Sequence, residues 1–216
     1  MRHVTQTVTQ AVLRLVAAVL LTVATIGAVH AQPTENPLRI GATLPGLDAG
    51  LYDVQSESQT ALSNVLGSRA TVFIFWSNEC PWVDRYEDRV QSLREQFSGQ
   101  GIRFVLVNAN DADAFEQEGR AASAERARSQ GYGGMRYLRD DTAALATALG
   151  AMRTPHVFVF DANRTLVYQG AIDDSPGSAE DVTNRYLHDA LDALAAGESV
   201  SEPETKAFGC MIKLPR

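Results

Sequence analysis

Residues 71–83 read TVFIFWSNECPWV, and the change of pattern within this stretch predicts how the chain begins to fold. Residues 71–76 are an almost unbroken run of apolar, β-branched and aromatic side chains, which is typical of a central strand covered on both faces. Cys80 follows after a short polar turn, and Pro81 suits the first position of a helix, where its missing N–H would be unpaired anyway. The stretch therefore predicts a buried strand, a turn that carries a cysteine, and a helix.

The residues after Cys80 complete a strand–helix–strand unit. Apolar side chains recur three and four positions apart, which places them on one face of a helix, and the run at 102–107 (IRFVLV) indicates a second buried strand. Two buried strands joined by a helix indicate a right-handed parallel βαβ unit. The predicted helical face consists of Val83, Tyr86, Val90, Leu93 and Phe97.

The rest of the chain contains weaker signals of further elements. Residues 39–54 predict a small hairpin, and residues 110–130, rich in alanine and charge, a solvated helix or an insertion. The runs VFVF (157–160) and TLVY (165–168) flank a turn and predict an antiparallel hairpin. A capping-box pattern at 178–181 predicts the start of a last helix. This order of elements indicates an α/β fold, a three-layer sandwich in which helices cover both faces of a central mixed β-sheet.

Composition and charge exclude several classes of protein. The chain has 216 residues, of which 45% are hydrophobic and 21% charged, and a formal net charge of −7. This hydrophobic content is too high for a disordered chain, and an acidic balance without a basic block argues against a nucleic-acid partner. The sequence contains two cysteines, Cys80 and Cys210, which excludes a disulfide-dense scaffold and a four-cysteine zinc site.

The N-terminal residues are typical of an export signal. Arg2 and Arg14 precede an uncharged run at 15–29, which is shorter than the roughly 20 residues that a membrane-spanning helix needs. The residues that follow predict cleavage after Ala31; an uncleaved membrane anchor is the alternative. The predicted segments are a signal peptide (1–31), a tether (32–38), the folded domain (39–196) and a C-terminal tail (197–216) that carries Cys210.

Cleavage would leave an acidic, exported protein. Residues 1–31 contain two arginines and no acidic residue, so their removal lowers the formal charge from −7 to −9. Export to the periplasm or to the outside of the cell places the protein in an oxidising compartment, where a cysteine pair can persist as a disulfide. We expect no stable membrane insertion once the signal has been removed.

Cys80 is the candidate nucleophile. At the start of a helix, the aligned peptide dipoles and free N–H groups favour a thiolate over a thiol, and the thiolate is the reactive form in disulfide exchange and peroxide reduction. The turn after a central strand also lies at the solvent-facing end of a parallel sheet. The alternative is a buried structural thiol, because cysteine is among the residues that are most often buried.

Several segments together resemble a known family. They are the cysteine turn FWSNECPWV (75–83), the strand entered through Thr-Pro, TPHVFVFD (154–161), and the tail segments PETK (203–206) and GCMIK (209–213). Over about residues 38–214 the chain resembles the thioredoxin-like superfamily and, within it, the redoxins, the alkyl hydroperoxide reductase and thiol-specific antioxidant group. The tail is similar to that of a redoxin branch with a Gly-Cys-x-Ile-Lys motif.

The resemblance implies roles for particular residues. Cys80 matches the active-site cysteine, and Pro155 after Thr154 matches a cis-proline that packs beside it and shapes the groove for a substrate disulfide. Ser77 stands where most members carry the first cysteine of a Cys-x-x-Cys pair, which excludes exchange within one turn. Ser77-x-x-Cys80-Pro81 is instead similar to the Thr/Ser-x-x-Cys of peroxiredoxins, in which the hydroxyl bonds the thiolate.

Three further residues are predicted to shape the site. Arg153 is placed to supply a positive charge near the thiolate, with an ordinary solvated arginine as the alternative. Trp76 and Trp82 flank the cysteine and are candidates to line its groove, with hydrophobic packing as the alternative.

The role of Cys210 determines the mechanism. The two cysteines are 130 positions apart, so only the fold can bring them together. Cys210 would resolve a sulfenic acid or a mixed disulfide on Cys80; the alternatives are a permanent disulfide that pins the tail and a free thiol. His156 adds a further alternative, a soft copper(I) site formed by Cys80, Cys210 and His156.

We therefore expect an exported thiol-dependent oxidoreductase that needs no cofactor. Cys80 would attack a protein or small-molecule disulfide, or a peroxide, and Cys210 or an external thiol reductant would complete the cycle. The alternatives are a dedicated peroxiredoxin-like peroxidase with an antioxidant role, a copper(I) carrier, and a thioredoxin-fold binding module without catalytic activity.

Overall fold

The computed structural model describes residues 38–46 and 50–215. The signal peptide, its cleavage position and nearly all of the tether lie outside the described residues and stay predictions. The boundary between the folded domain and its tail stays a prediction as well. Among the described helices, none combines the length and the hydropathy that crossing a membrane requires.

A mixed β-sheet forms the centre of the described part of the chain. The strands found there are β1 (Gly50–Asp53), β2 (Ser58–Ala61), β3 (Ala70–Phe75), β4 (Ile102–Asn108), β5 (Arg136–Arg139), β6 (Arg153–Thr154), β7 (His156–Asp161), β8 (Leu166–Gly170) and β9 (Cys210–Met211). All but β6 and β9 hydrogen-bond side by side in the order β2-β1-β5-β4-β3-β7-β8. β4 pairs in parallel with β3 and β5, whereas β7 pairs antiparallel with β3 and β8. The predicted parallel unit and the predicted late hairpin are confirmed.

Helices cover both faces of this sheet. The α-helices of the described residues are α1 (Pro81–Phe97), α2 (Arg120–Ser129), α3 (Ala144–Leu149) and α4 (Tyr186–Ala196). Side chains alternate along β3, so that Val72 and Ile74 share one buried cluster with α1 and α4, while Phe73 and Phe75 share another with α3. The predicted α/β class, with a mixed sheet covered on both faces, is confirmed.

The first hairpin lies later in the chain than predicted. The hairpin expected at 39–54 is wrong, because β1 and β2 pair over residues 50–61. The Asp53 carboxylate accepts the backbone N–H groups of Gln55 and Ser56, which fixes the turn directly after β1.

The last helix also begins later than its capping-box pattern predicts, at Tyr186 and not near residue 178. The Asp174 carboxylate accepts the backbone N–H of Thr183 and the side-chain amide of Asn184. These bonds close residues 174–184 into a loop in front of α4. Local side-chain-to-backbone bonds of this kind compete with helix formation.

Candidate active site around Cys80 and Cys210

Cys80 lies between the end of β3 and the start of α1. It is the N-cap residue of α1, with Pro81 in the first turn, and its carbonyl accepts the N–H groups of Val83 and Asp84. Cys80 is only 2% exposed, and its Sγ donates to the carbonyl oxygen of Thr154 at 3.1 Å. The structure thus places Cys80 at the strand-to-helix turn and covers its sulfur from solvent.

The C-terminal tail brings Cys210 into contact with Cys80. β9 pairs antiparallel with β6, so that Cys210 lies opposite Thr154. The two sulfurs are 2.7 Å apart, although the cysteines are separated by 130 positions along the chain. Both are thiols, and the peptide bond between Thr154 and Pro155 is cis. A two-stranded ribbon beside a cis-proline therefore makes the contact between the two predicted catalytic residues.

Backbone hydrogen bonds hold the tail on both sides of Cys210. Before it, Thr205 donates its N–H to the carbonyl of Gln169 in β8 at 3.0 Å. After it, Ile212 donates its N–H to the carbonyl of Met152 at 3.0 Å, and the Ile212 side chain is buried in the cluster on the α3 side of the sheet. Cys210 is therefore held between two fixed points.

Lys213 joins the tail to the turn that carries Cys80. Its backbone N–H donates to the Asn110 side chain at 3.0 Å, and its carbonyl accepts the Asp111 N–H at 2.7 Å. Its ammonium lies 3.7 Å from the carboxylate of Glu79, the residue directly before Cys80. The resemblance to a Gly-Cys-x-Ile-Lys tail pointed to this segment, but we considered roles only for its cysteine.

Gly209 lets the tail approach β6. Its φ of +153° is one that residues with a side chain rarely adopt, and a Cβ there would overlap the carbonyl oxygen of Thr154. Arg153 donates from Nη1 to the Gly209 carbonyl at 2.9 Å. The Arg153 guanidinium thus binds the tail backbone next to Cys210, and its predicted effect on the Cys80 thiolate stays a prediction.

Ser77 has a different partner from the one that the peroxiredoxin pattern implies. Its hydroxyl donates to Glu118 Oε1 at 2.5 Å and accepts the Glu79 N–H at 3.2 Å. The hydroxyl has a single proton to donate, and it donates it in the hydrogen bond to Glu118. The expected bond from Ser77 to the Cys80 thiolate is therefore not formed among the described residues.

Glu118 also belongs to this site, although no sequence pattern indicated it. It is 1% exposed, and its Oε2 accepts the Asn78 N–H and the side-chain amide of Asn108, both at 2.8 Å. With the Ser77 hydroxyl included, three donors form hydrogen bonds to this one carboxylate. These bonds fix the turn before Cys80. A single buried carboxylate does not alter the hydrophobic pattern of residues 110–130, so the sequence contained no signal of it.

The two tryptophans have different roles. Trp76 is fully buried, and its Nε1 donates to the Tyr132 hydroxyl at 3.1 Å, so that it packs within the core. Trp82 is half-buried, and its ring meets the Phe208 ring edge to face at 4.8 Å. Only Trp82 therefore lines a groove beside Cys210.

His156 does not lie close enough to the two cysteines to share a metal ion with them. Within residues 38–46 and 50–215, the ligand atoms of Cys80, Cys210 and His156 do not form a set that lies within 4.8 Å. The His156 Nδ1 accepts the Met152 N–H at 3.5 Å, and its ring lies 4.4 Å from the Phe158 ring. Burial, followed by the charge of Arg153, lowers the pKa of His156 to about 4. The three-ligand copper(I) site is therefore not assembled.

In the reduced protein, where Cys80 is unmodified, Cys210 is expected to be alkylated slowly at neutral pH and rapidly only at high pH. Burial, followed by the hydrogen bond and the charge of Cys80, raises the pKa of Cys210 to about 11. Cys80→Ser removes the sulfur that contributes two of these causes, so we expect it to lower the pKa of Cys210. The measurement is the rate of iodoacetamide labelling of Cys210 against pH, by peptide mass spectrometry. An unchanged midpoint would contradict the coupling of the two sulfurs.

Comparison with known proteins yields one family model and a set of solved structures. The model described as Redoxin matches residues 40–187. No curated protein matches the chain at a significant level.

Two solved structures share about a third of their residues with this chain. A hypothetical protein from Sinorhizobium meliloti 1021 is 33% identical, with a TM-score of 0.75 over 83% of this chain and 97% of that chain. An uncharacterized conserved protein from Geobacillus kaustophilus is 32% identical, with a TM-score of 0.77 over 83% of this chain and 94% of that chain. Peroxidoxin BcpB from Mycobacterium tuberculosis is 19% identical, with a TM-score of 0.56 over 75% of this chain and 99% of that chain, which shows a shared thioredoxin-like fold.

Proposed function

Because the chain belongs to the redoxin family, we propose that it is an exported thiol-dependent oxidoreductase whose redox-active pair is Cys80 and Cys210. Family membership itself makes it an oxidoreductase, peroxidase-like in kind, with a thiol-dependent redox role. The observation that carries the assignment of this pair is the 2.7 Å contact between the two sulfurs.

This contact supports a two-step reaction. In the first step, the Cys80 thiol loses its proton and its sulfur attacks one oxygen of a hydroperoxide or one sulfur of a disulfide; the other half takes up a proton and leaves as water, an alcohol or a thiol. In the second step, the sulfur of Cys210 attacks Cys80 Sγ, and the proton of Cys210 passes to the oxygen or sulfur that leaves Cys80. The Cys80–Cys210 disulfide forms, and water or the second thiol is released. The substrate gains two electrons, which the two cysteine sulfurs supply.

The fixed tail favours the second step. Bonds on both sides of Cys210 hold its sulfur beside Cys80. A reacting group that is already in place avoids the entropic cost of being brought there. Cys210 thus supplies the second sulfur that the serine at position 77 cannot supply.

Export is supported by the sequence alone. The basic and then uncharged residues up to Ala31 have the pattern of a cleaved signal. In an oxidising compartment the Cys80–Cys210 disulfide would accumulate, so an external thiol reductant has to regenerate the dithiol.

A dedicated peroxidase is the second candidate function. The observation that favours it is the cover over Cys80, which is 2% exposed beneath Cys210 and the Thr154 carbonyl. A hydroperoxide needs less room at this sulfur than the disulfide of a folded protein does. Stopped-flow oxidation distinguishes the two candidates: rapid reaction with hydrogen peroxide favours the peroxidase, and slow reaction with rapid disulfide exchange excludes it.

The proposed pair is tested by intact-mass measurement of the reduced protein after hydrogen peroxide or oxidised glutathione. We expect the wild type to lose two hydrogens as the disulfide forms. We expect Cys210→Ser to keep a sulfenic acid or a glutathione adduct on Cys80, and Cys80→Ser to remain largely unmodified, because burial still raises the pKa of Cys210 in this variant. Rapid modification of Cys210 in Cys80→Ser would contradict Cys80 as the nucleophile.

A protein without catalytic activity is the competing class. Ser77 in place of a cysteine supports it, whereas the second sulfur in contact with Cys80 argues against it. The same measurement separates the two classes, since a binding module or a copper(I) carrier would form no disulfide on a catalytic timescale with either oxidant.

A further inference from the structure

Exposed apolar residues are concentrated in the chain segments that form and flank the ribbon of β6 and β9. Of the five large hydrophobic residues that are exposed in the described part of the chain, four lie on or beside the ribbon of β6 and β9: Met152, Phe208, Met211 and Leu214. Met152 and Met211 are 68% and 71% exposed. Exposed apolar residues that are concentrated in one region of a protein indicate an interaction site, and the flexible methionine side chain suits contact with a partner. We call these four residues the apolar patch.

A groove of about 730 Å³ runs next to the apolar patch. Trp82 and Phe208 form its wall at the end near Cys210, and the segments around residues 173–177 and 202–207 form its sides. This volume is within the range of sites that take a small molecule or a few side chains of a peptide.

The groove carries an excess of negative charge. Asp174, Glu202 and Glu204 line it with exposed carboxylates, against the ammonium of Lys206. Arg85 stands at its rim, where it binds the Gly177 carbonyl and lies over the Trp82 ring. Charge complementarity therefore favours a basic segment as the occupant.

The exposure of the two sulfurs determines where an external thiol enters. Cys80 is buried and Cys210 is half-exposed, so a thiolate from outside meets Cys210 Sγ first. It forms a new bond to Cys210 while the Cys80–Cys210 bond breaks, and the electron pair leaves on Cys80 Sγ. A second thiol of the same partner then attacks the partner's sulfur in the mixed disulfide. This releases Cys210, which takes up a proton, and leaves the partner as a disulfide.

We propose that the reductant is a protein dithiol that binds through a basic and apolar segment beside its reactive cysteine. The basic residues would occupy the groove, and the apolar residues would contact the apolar patch around Cys210. This proposal rests on the proposed function, because it needs a Cys80–Cys210 disulfide to reduce. A second copy of this chain suits the groove poorly, since its net charge of −7 would face the same carboxylates.

The test compares three thiols as reductants of the pre-formed disulfide in the full chain. They are a peptide with one cysteine between arginine and leucine residues, a peptide of equal length with its cysteine between glutamate and serine residues, and glutathione. Rates are followed by acid quench and mass spectrometry, and each is divided by the rate with dithiothreitol. We expect the basic and apolar peptide to be about tenfold faster than the other two, with an advantage that shrinks as salt increases.

Matched variants locate the effect on the surface. The double variant Glu202→Gln, Glu204→Gln is expected to lower the advantage of the basic peptide about three- to tenfold, and Met211→Ser to lower it as well. Glu198→Gln and Ile40→Ser are the controls, because these exposed residues lie outside the groove and the apolar patch. Both controls are expected to keep the wild-type ratio.

The outcomes separate this proposal from the one on which it rests. Equal normalised rates for the three thiols, or an unchanged advantage in the double variant, would overturn the docking proposal while dithiothreitol still reduces the disulfide. A stable dimer that dissociates in Met211→Ser would also overturn it, by assigning the patch to a second copy. If no disulfide forms in the wild type, the proposed function fails and the docking proposal fails with it.

Discussion

Gly209→Ala is expected to slow formation of the Cys80–Cys210 disulfide by at least about a hundredfold, because a neighbouring thiol held in place reacts as if at very high concentration. The added Cβ would overlap the carbonyl oxygen of Thr154, and the φ of +153° at residue 209 suits glycine. The tail must therefore leave β6, which carries Cys210 away from Cys80. The predicted defect lies in the second step of the reaction, and the attack by Cys80 remains.

The measurement is the time course of thiol loss after a single equivalent of hydrogen peroxide. In Gly209→Ala we expect a sulfenic acid on Cys80 that dimedone traps, whereas the wild type closes its disulfide before trapping. Gly133→Ala is the matched control, since a Cβ there meets nothing within 4 Å, and it should keep the wild-type rate. A wild-type rate in Gly209→Ala would show that the β6–β9 ribbon does not position Cys210.

Glu118→Ala is expected to lower the free energy of unfolding by about 3–5 kcal/mol, because three donors lose their carboxylate acceptor and each unsatisfied buried group costs roughly 1–3 kcal/mol. It removes the carboxylate that accepts from the Ser77 hydroxyl, the Asn78 N–H and the Asn108 amide, of which the last still donates to the Tyr137 hydroxyl at 3.2 Å. Glu118→Gln should cost less, about 1–3 kcal/mol, because one amide oxygen remains to accept. In both variants the turn before Cys80 loosens, so disulfide formation should slow as well.

Urea denaturation of the reduced protein, followed by circular dichroism, gives the free energy of unfolding. Glu116→Ala is the control, because this exposed carboxylate lies two positions away, and we expect a change within about 0.5 kcal/mol. Equal free energies of unfolding for Glu118→Ala and the wild type would contradict this prediction. They would mean that water replaces the carboxylate as acceptor without loss of stability.

Elements that depend on neighbours along the chain could be predicted from the sequence. The apolar run of β3 and the helical stripe of α1 are continuous patterns, so hydrophobic periodicity was sufficient to place both, and with them Cys80. The hairpin and helix boundaries that were wrong depend on Asp53 and Asp174, single side chains that bind the backbone nearby. A composition pattern does not distinguish such residues from other turn aspartates.

The site itself depends on contacts between distant parts of the chain. The sequence left open whether Cys210 approaches Cys80, and the pairing of β9 with β6 was not visible in it. The partner of Ser77 is 41 positions away, in a segment that we interpreted as a solvated helix or an insertion. Two chemically reasonable acceptors existed for this hydroxyl, the thiolate and a carboxylate, and only the fold selects between them.

The sulfur contact also couples the redox state of the protein to its folding equilibrium. Oxidation would close a loop spanning 130 positions that encloses β4 to β8 and all four α-helices of the described residues. Restricting so long a loop destabilises the unfolded chain by about 5 kcal/mol in the chain-entropy model. The two equilibria form a thermodynamic cycle, so folding must favour oxidation by as much as oxidation favours folding. Each turnover would then convert the enzyme between an oxidised form that unfolds at a higher temperature and a reduced form that unfolds at a lower one.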